Sequence, residues 1–140
     1  MKVFGLITIG VLLLFSSTAN AQGSAPMWGP AGYTEARYYY LPGVQTYYDI
    51  QSSEFIYNKN GTWIHRAHLP EQNKNYNLYN GYKVVMTDYR GDSPYTYFND
   101  HKKKYPKNYR GGKQKTIGEK PGKGNSESKG HHGKGQKKNH

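Results

Sequence analysis

The sequence predicts an all-β fold, a small antiparallel meander of about five or six short strands followed by a disordered basic C-terminal tail. Three observations lead to this fold class. Apolar and polar residues alternate with a period of two between Val44 and Ile50, which is typical of a half-buried strand. Two Asn-Gly pairs, Asn60-Gly61 and Asn80-Gly81, favour the tight turns of β-hairpins. No window combines helical periodicity with capping residues.

Residues 44–66 are predicted to form a three-stranded meander. Asn60-Gly61 supplies its second turn, because both residues tolerate the positive φ angles that a two-residue hairpin loop requires. With this turn, Tyr57 lies opposite Ile64, and Phe55 shares a face of the sheet with both. The expected strands are 44–50, 54–58 and 62–66.

The strongest strand pattern follows this meander, at Tyr82–Tyr89, where Val84 and Val85 are β-branched. Residues 90–94 are rich in turn formers, and Tyr95–Phe98 is expected to return as an antiparallel partner of Tyr82–Tyr89. Before the meander, Pro and Gly punctuate the chain, so an irregular lead-in is expected there.

Residues 1–21 have the three parts of a secretory signal peptide. Lys2 is followed by the apolar run Val3–Phe15 and by small residues that end at Ala21. This pattern predicts an exported protein, located in the periplasm, on the outer surface or in the medium, with no transmembrane span in its mature form. Because the chain has no cysteine, disulfides and a lipidated cysteine are excluded.

Composition divides the chain into four parts. Hydrophobic residues become sparse after His101, and such a segment cannot bury enough surface to offset its chain entropy. The expected division is a signal peptide over 1–21, a lead-in over 22–37, a Tyr-rich β domain over 38–110 and a disordered Gly/Lys/His-rich tail over 111–140.

Positive charge is concentrated at the C-terminal end. Residues 101–140 hold 13 Lys and Arg against two acids, whereas residues 22–100 hold six bases and seven acids. Such a polycation is expected to bind anionic envelope polymers or lipid head groups by releasing counterions, with no specific nucleic acid partner. The alternative is a solubilising linker without a partner. The candidate polyanion-binding residues are Lys102, Lys103, Lys104, Lys107, Arg110, Lys113, Lys115, Lys137 and Lys138.

All 15 tyrosines lie between Tyr33 and Tyr109, where aliphatic residues are few. The core must therefore be largely aromatic, and most tyrosines are expected inside it. Two or three aromatic residues could remain exposed to contact carbohydrate or another protein. The candidates for that partner surface are Tyr39, Tyr47 and Trp63, together with the neighbours of Tyr39 in the run Tyr38-Tyr39-Tyr40.

Other motifs are weak. His65 and His68 would face opposite sides of a strand, so a metal site there is disfavoured, and the tail histidines could bind a metal only loosely. Arg90-Gly91-Asp92 matches an integrin-attachment motif, but Gly-Asp-Ser-Pro is also ordinary turn chemistry. No catalytic constellation is present, and no cofactor or enzymatic activity is expected. The weak metal candidates are His65, His68, His131, His132 and His140.

Several short runs together resemble a family of small exported proteins from Bacteroidota-type bacteria that has no assigned activity. The resemblance covers residues 38–110 well and the tail loosely, and it implies export and one domain with a tail, but no catalytic residues. The runs that carry it include Tyr47-Tyr48-Asp49, Phe55-Ile56-Tyr57, Asn60-Gly61-Thr62-Trp63-Ile64, Leu78-Tyr79-Asn80-Gly81-Tyr82 and Thr87-Asp88-Tyr89.

Three functions are compatible with these features. The favoured one is a non-catalytic envelope-associated protein that its tail tethers to anionic surface polymers or lipids. The first alternative is a structural or adhesive matrix protein that uses Tyr and Lys through cation–π contacts. The second alternative is a weak metal-binding protein.

Overall fold

The computed structural model describes residues 23–122, which form one five-stranded antiparallel sheet and one short helix. The predicted all-β fold class is confirmed. The strands lie side by side in the order β4-β3-β2-β1-β5. Within the described residues, no helix has the length and apolar character needed to cross a membrane. The elements are β1 Tyr38–Leu41, β2 Thr46–Asp49, β3 Glu54–Lys59, β4 Thr62–Arg66, β5 Val84–Met86 and α1 Phe98–Lys104.

The hairpin between β3 and β4 forms as predicted. Asn60 and Gly61 both have positive φ angles, 53° and 85°, and the Asn58 side chain accepts a hydrogen bond from the Gly61 N–H at 2.9 Å. Tyr57 lies opposite Ile64 in the resulting register. The Asn-Gly pair therefore sets which side chains of both strands face each side of the sheet.

The two faces of the sheet carry separate aromatic cores. One face is covered by α1 and the residues around it, and the other by the lead-in and the loops that follow β4. Strands β1 and β2 are buried along their whole length because both of their faces are covered. The first core contains Tyr38, Tyr40, Tyr47, Ile56 and Met86. The second core contains Tyr39, Leu41, Tyr48, Ile50 and Phe55.

The expected pairing of Tyr82–Tyr89 with Tyr95–Phe98 is wrong. The strand is shorter, Val84–Met86, and its partner is β1, with Tyr39 opposite Val85. Pro94 begins a 3-10 helix that runs directly into α1, because its fixed φ suits the first position of a helix. A seven-residue helix is too short to show a clear period in the sequence.

The ordered part of the chain extends beyond the expected domain boundary at 110. Thr116 forms an isolated antiparallel bridge with Pro30, and the Ala31 N–H donates to the Lys115 carbonyl at 2.8 Å. The lead-in supplies main-chain partners here, so hydrophobic side chains are not required to hold residues 114–118. The predicted signal peptide and residues 123–140 of the predicted tail lie outside the described residues.

Candidate functional site

The folded part of the basic segment begins in α1, which covers one face of the sheet, and continues to Gln114, which is hydrogen-bonded to Lys83 just before β5. We call its bases the basic edge. Residues 101–122 contain eight bases and a single acid, Glu119, and all of these bases except the half-buried Lys102 are exposed. The basic edge consists of Lys102, Lys103, Lys104, Lys107, Arg110, Lys113, Lys115 and Lys120. It contains seven of the nine polyanion-binding candidates, while Lys137 and Lys138 lie outside the described residues.

Helix α1 positions the first of these bases by burying its other side against the sheet. Phe98 packs against the first core, and His101 lies with its Nδ1 atom 2.7 Å from the Tyr47 hydroxyl. Burial lowers the pKa of His101, so a neutral imidazole is favoured that accepts this hydrogen bond through Nδ1. The lysines of α1 consequently point away from the core.

Two of the lysines lie over aromatic rings of their own helix region. The Nζ of Lys102 is 4.6 Å from the ring centroid of Phe98, and that of Lys104 is 5.3 Å from the ring centroid of Tyr105. These cation–π contacts hold the two ammonium groups near the surface. The exposed Lys103 has no such contact.

A groove of about 240 Å³ runs along the outer side of β5, next to the basic edge. Val85 and Thr87 line one side of it. Four tyrosines, Tyr33, Tyr82, Tyr105 and Tyr109, line most of the remainder, together with Lys83, Val84 and Gln114. The ring of Tyr109 packs edge-on against the rings of Tyr82 and Tyr105, at centroid distances of 5.2 and 5.0 Å. The groove is therefore amphipathic, with aromatic walls and hydroxyl groups.

The end of the groove is closed by the side chain of Gln114. Its Oε1 accepts a hydrogen bond from the Lys83 N–H at 3.0 Å, and its Nε2 donates to the Lys83 carbonyl at 2.7 Å. A side-chain amide here makes both of the bonds that a residue of a neighbouring strand would make. No feature of the sequence indicates this contact, because the two residues are 31 positions apart.

Lys83 is a buried lysine that no sequence pattern indicates. Its side chain is 1% exposed, and Nζ donates a hydrogen bond to the Tyr79 carbonyl at 3.2 Å. Desolvation lowers the pKa of Lys83 to about 8. Because no substrate can reach an amine enclosed in this way, we assign Lys83 to the fold rather than to a reaction.

The Arg90-Gly91-Asp92 turn is held against the domain by Arg37 and Tyr38. Arg37 donates from Nη1 to the Arg90 carbonyl at 2.9 Å, and its Nη2 lies 2.8 Å from the Asp92 carboxylate. The Tyr38 hydroxyl donates to the Gly91 carbonyl at 2.8 Å. The carboxylate that an adhesive motif would present is thus engaged in an ion pair within the chain. An open cleft of about 1000 Å³ lies beside Arg37 and Arg90.

The prediction that Tyr39 and Tyr47 form a partner surface is wrong, since both are fully buried. They lie on β1 and β2, and a central strand covered on both faces leaves no exposed position. Trp63 is half-buried and stacks on Tyr95, with ring planes 6° apart and centroids 4.8 Å apart. Its ring therefore completes the first core.

The histidines of the domain do not gather a metal site. His65 on β4 lies 3.6 Å from the Glu54 carboxylate on β3, and His68 follows β4 in the next loop. Among residues 23–122, no group of three His, Cys, Asp or Glu side chains could hold a metal ion. His131, His132 and His140 lie outside the described residues.

No family model matches the chain, and no curated protein or solved structure is significantly similar to it. The likeness to exported Bacteroidota-type proteins therefore stays a hypothesis. The function has to be inferred from the basic edge and the groove themselves.

Proposed function

We propose that this is a non-catalytic exported protein that attaches to anionic polymers or lipid head groups of the cell envelope through its basic C-terminal segment. The observation that carries the proposal is the basic edge, where eight bases and a single acid occupy residues 101–122 of an otherwise nearly neutral domain. A polyanion that binds this surface releases its condensed counterions, which favours association.

The fixed placement of these bases supports attachment by the folded domain as well as by the tail. Lys103 and Lys104 are presented by α1, and Lys113 and Lys115 flank Gln114, whose side chain is bonded to Lys83. The main chain at these positions is already fixed in the folded domain. Binding there therefore costs less conformational entropy than binding by a free chain. Residues 123–140 add five further lysines to the same end of the sequence.

The export part of the proposal is supported by the composition of residues 1–21. The signal-like order of Lys2, an apolar run and small residues predicts cleavage before Gln22. In such a location, lipid phosphates and acidic polysaccharides are the abundant polyanions, and nucleic acid is not.

The adhesive alternative has less support. It needs exposed tyrosines, and the large exposed hydrophobic side chains of residues 23–122 include only two of them, Tyr33 and Tyr97. The two lysine–aromatic contacts of the C-terminal region are made within the chain, to Phe98 and Tyr105. These rings are already occupied and would have to be released before they could bridge to a partner.

The proposal is tested by removing charge from the basic edge without disturbing α1. The variant Lys103→Gln/Lys107→Gln/Lys113→Gln removes three exposed bases that have no hydrogen bond or ion pair to another described residue. The matched control, Lys59→Gln/Arg66→Gln/Lys74→Gln, removes three exposed bases elsewhere on the domain. Both variants carry the same net charge, so a difference between them reports position; the exposed Lys74–Glu71 ion pair that the control also removes contributes little to stability.

Binding is measured by co-sedimentation with anionic vesicles and with alginate, against neutral vesicles and dextran. At about 1 kcal/mol for each lysine near an anionic surface, the first variant should bind about a hundredfold more weakly than wild type at low salt. The control should change much less. Equal losses in both variants, or undiminished binding by the first, would contradict the proposed surface.

A further inference from the structure

The outer edge of β5 has unpaired main-chain groups. β5 is the last strand of the sheet, and it pairs only with β1. Along an antiparallel strand, successive residues direct their N–H and C=O groups alternately to one side and to the other. Lys83 directs both groups outward to Gln114, so Val84 faces β1 and Val85 again faces outward. By this alternation the N–H and C=O of Val85 point away from β1, and the loop and side-chain hydrogen bonds of residues 23–122 include none to them.

Gln114 shows what this edge can accept. Its primary amide has the same donor and acceptor as a peptide bond, and it engages the N–H and the C=O of one residue together. An incoming strand would make the same pair of bonds at Val85, the outward-facing residue of β5, before the chain bends at Thr87. Gln114 thus satisfies the first outward-facing position and leaves Val85 open.

The groove gives the occupant side-chain contacts in addition to main-chain bonds. Alternate side chains of an added strand would point toward the rings of Tyr82, Tyr105 and Tyr109 on one side. Three bases are direct sequence neighbours of residues that line the groove, namely Lys104, Arg110 and Lys113. A partner strand with carboxylates therefore matches the charge of the surroundings, and a basic strand does not.

We propose that the outer edge of β5 accepts an extended acidic peptide of another protein as a sixth strand of the sheet. Within β5, Val85 is the outward-facing residue that stays open, so the paired part of the peptide is short and its affinity modest. A second copy of this chain is a poor occupant, because edge-to-edge pairing of two β5 strands would bring two basic edges together. This binding mode does not depend on the proposed attachment to polyanions.

The test uses the full chain and a fluorescein-labelled peptide of about eight residues in which Glu and Val alternate. Fluorescence anisotropy is measured at about 0.15 M salt, where long-range attraction is screened. Two further peptides carry N-methyl groups on the Glu amides only or on the Val amides only. Methylation removes N–H donors from one edge of the peptide and leaves its charge unchanged.

The protein variant for this test is Val85→Pro, which removes the outward-facing N–H. The bonds to β1 are made by the neighbouring residues Val84 and Met86, so the ladder is retained. Val85→Thr is the matched control, because it keeps the N–H and the β-branched shape. If Val85→Pro fails to fold, the two methylated peptides still decide the question on the wild-type chain.

We expect the unmodified peptide to bind with a dissociation constant below about 1 mM. One of the two methylated peptides should bind the wild-type chain at least tenfold more weakly than the unmodified peptide, and the other should bind as well as it. Val85→Pro should bind the unmodified peptide at least tenfold more weakly than wild type does. Val85→Thr should bind it as wild type does. No binding at about 1 mM peptide overturns the proposal. Equal binding of both methylated peptides also overturns it, because charge alone would then hold the peptide.

Discussion

The four fully buried tyrosines of β1 and β2 should give the protein a sharp alkaline limit of stability. Tyr38, Tyr39, Tyr40 and Tyr47 are inaccessible to solvent. Burial raises the pKa of each above the ordinary value of 10, that of Tyr40 to about 12. The folded state therefore keeps protons that the unfolded chain releases. Stability is fully retained below pH 10 and is lost as the pH rises through 10 toward 12 and beyond.

The size of this effect follows from the number of buried hydroxyl groups. At about pH 11, each tyrosine ionises in the unfolded chain with a gain of about 1.4 kcal/mol that the folded chain lacks. The three tyrosines whose pKa values rise furthest, Tyr38, Tyr40 and Tyr47, together lower the free energy of unfolding by about 4 kcal/mol. This is most of the stability of a domain at the lower end of the usual range, so unfolding is expected near or slightly above that pH.

The assay is a titration of tyrosinate absorbance, recorded together with circular dichroism. The exposed members of the 15 tyrosines should ionise first, without a change in the spectrum of the fold. The buried ones should ionise only as the sheet unfolds. A single reversible ionisation of all tyrosines near pH 10, with the fold intact at pH 12, would show that burial of these hydroxyl groups does not limit stability.

Two further predictions concern the other buried titratable groups. Lys83→Met should stabilise the fold by about 1–2 kcal/mol at pH 7, because burial lowers the pKa of the amine to about 8 and the hydrogen bond to Tyr79 offsets only part of that cost. In urea unfolding, the advantage should shrink as the pH rises from 8 toward 10, and a variant that is less stable at pH 7 would contradict it. His101 has a lowered pKa, so wild type should lose stability as the pH falls below 6.5 and the imidazole that accepts from Tyr47 becomes protonated. Between about pH 7 and pH 5, the thermal midpoint of His101→Gln should fall less than that of wild type. Equal falls in the two proteins would argue against the neutral imidazole as the acceptor of the Tyr47 hydrogen bond.

The hairpin and the fold class could be predicted because their signals are local. Asn60-Gly61 specifies its own turn, and the turn then determines the partner of Tyr57. The period of two over residues 44–50 is also a local signal, because it depends only on side chains that are close in sequence. The strand itself is shorter, Thr46–Asp49. Such signals survive in a single sequence because they need no distant contact.

The central strand β1 could not be predicted in the same way. The consecutive tyrosines Tyr38, Tyr39 and Tyr40 lack alternation, because α1 covers one face of the strand and the lead-in covers the other. Three large amphipathic rings in a row are equally typical of an exposed aromatic surface. Only the positions of distant segments show that these rings form the core.

The sequence predicts the charge of the candidate site but not the groove beside it. Counting residues located the bases, and this count needs no structure. The groove depends on Gln114 meeting Lys83, and on Tyr33 and Tyr109 meeting at one edge of the sheet. These contacts join segments that are far apart in sequence, and no residue type at those positions announces them. Buried Lys83 likewise has an ordinary sequence setting.

Attachment to polyanions is expected to involve the folded basic edge as well as the tail. The most direct measurement compares the full chain with a chain that ends at Gly122, each binding alginate over a series of salt concentrations. We predict that the shorter chain still binds, and that the logarithm of its affinity falls less steeply with the logarithm of salt concentration because fewer cations take part. Loss of all binding in the shorter chain at low salt would assign attachment to residues 123–140 alone. Binding that does not respond to salt would contradict the electrostatic account.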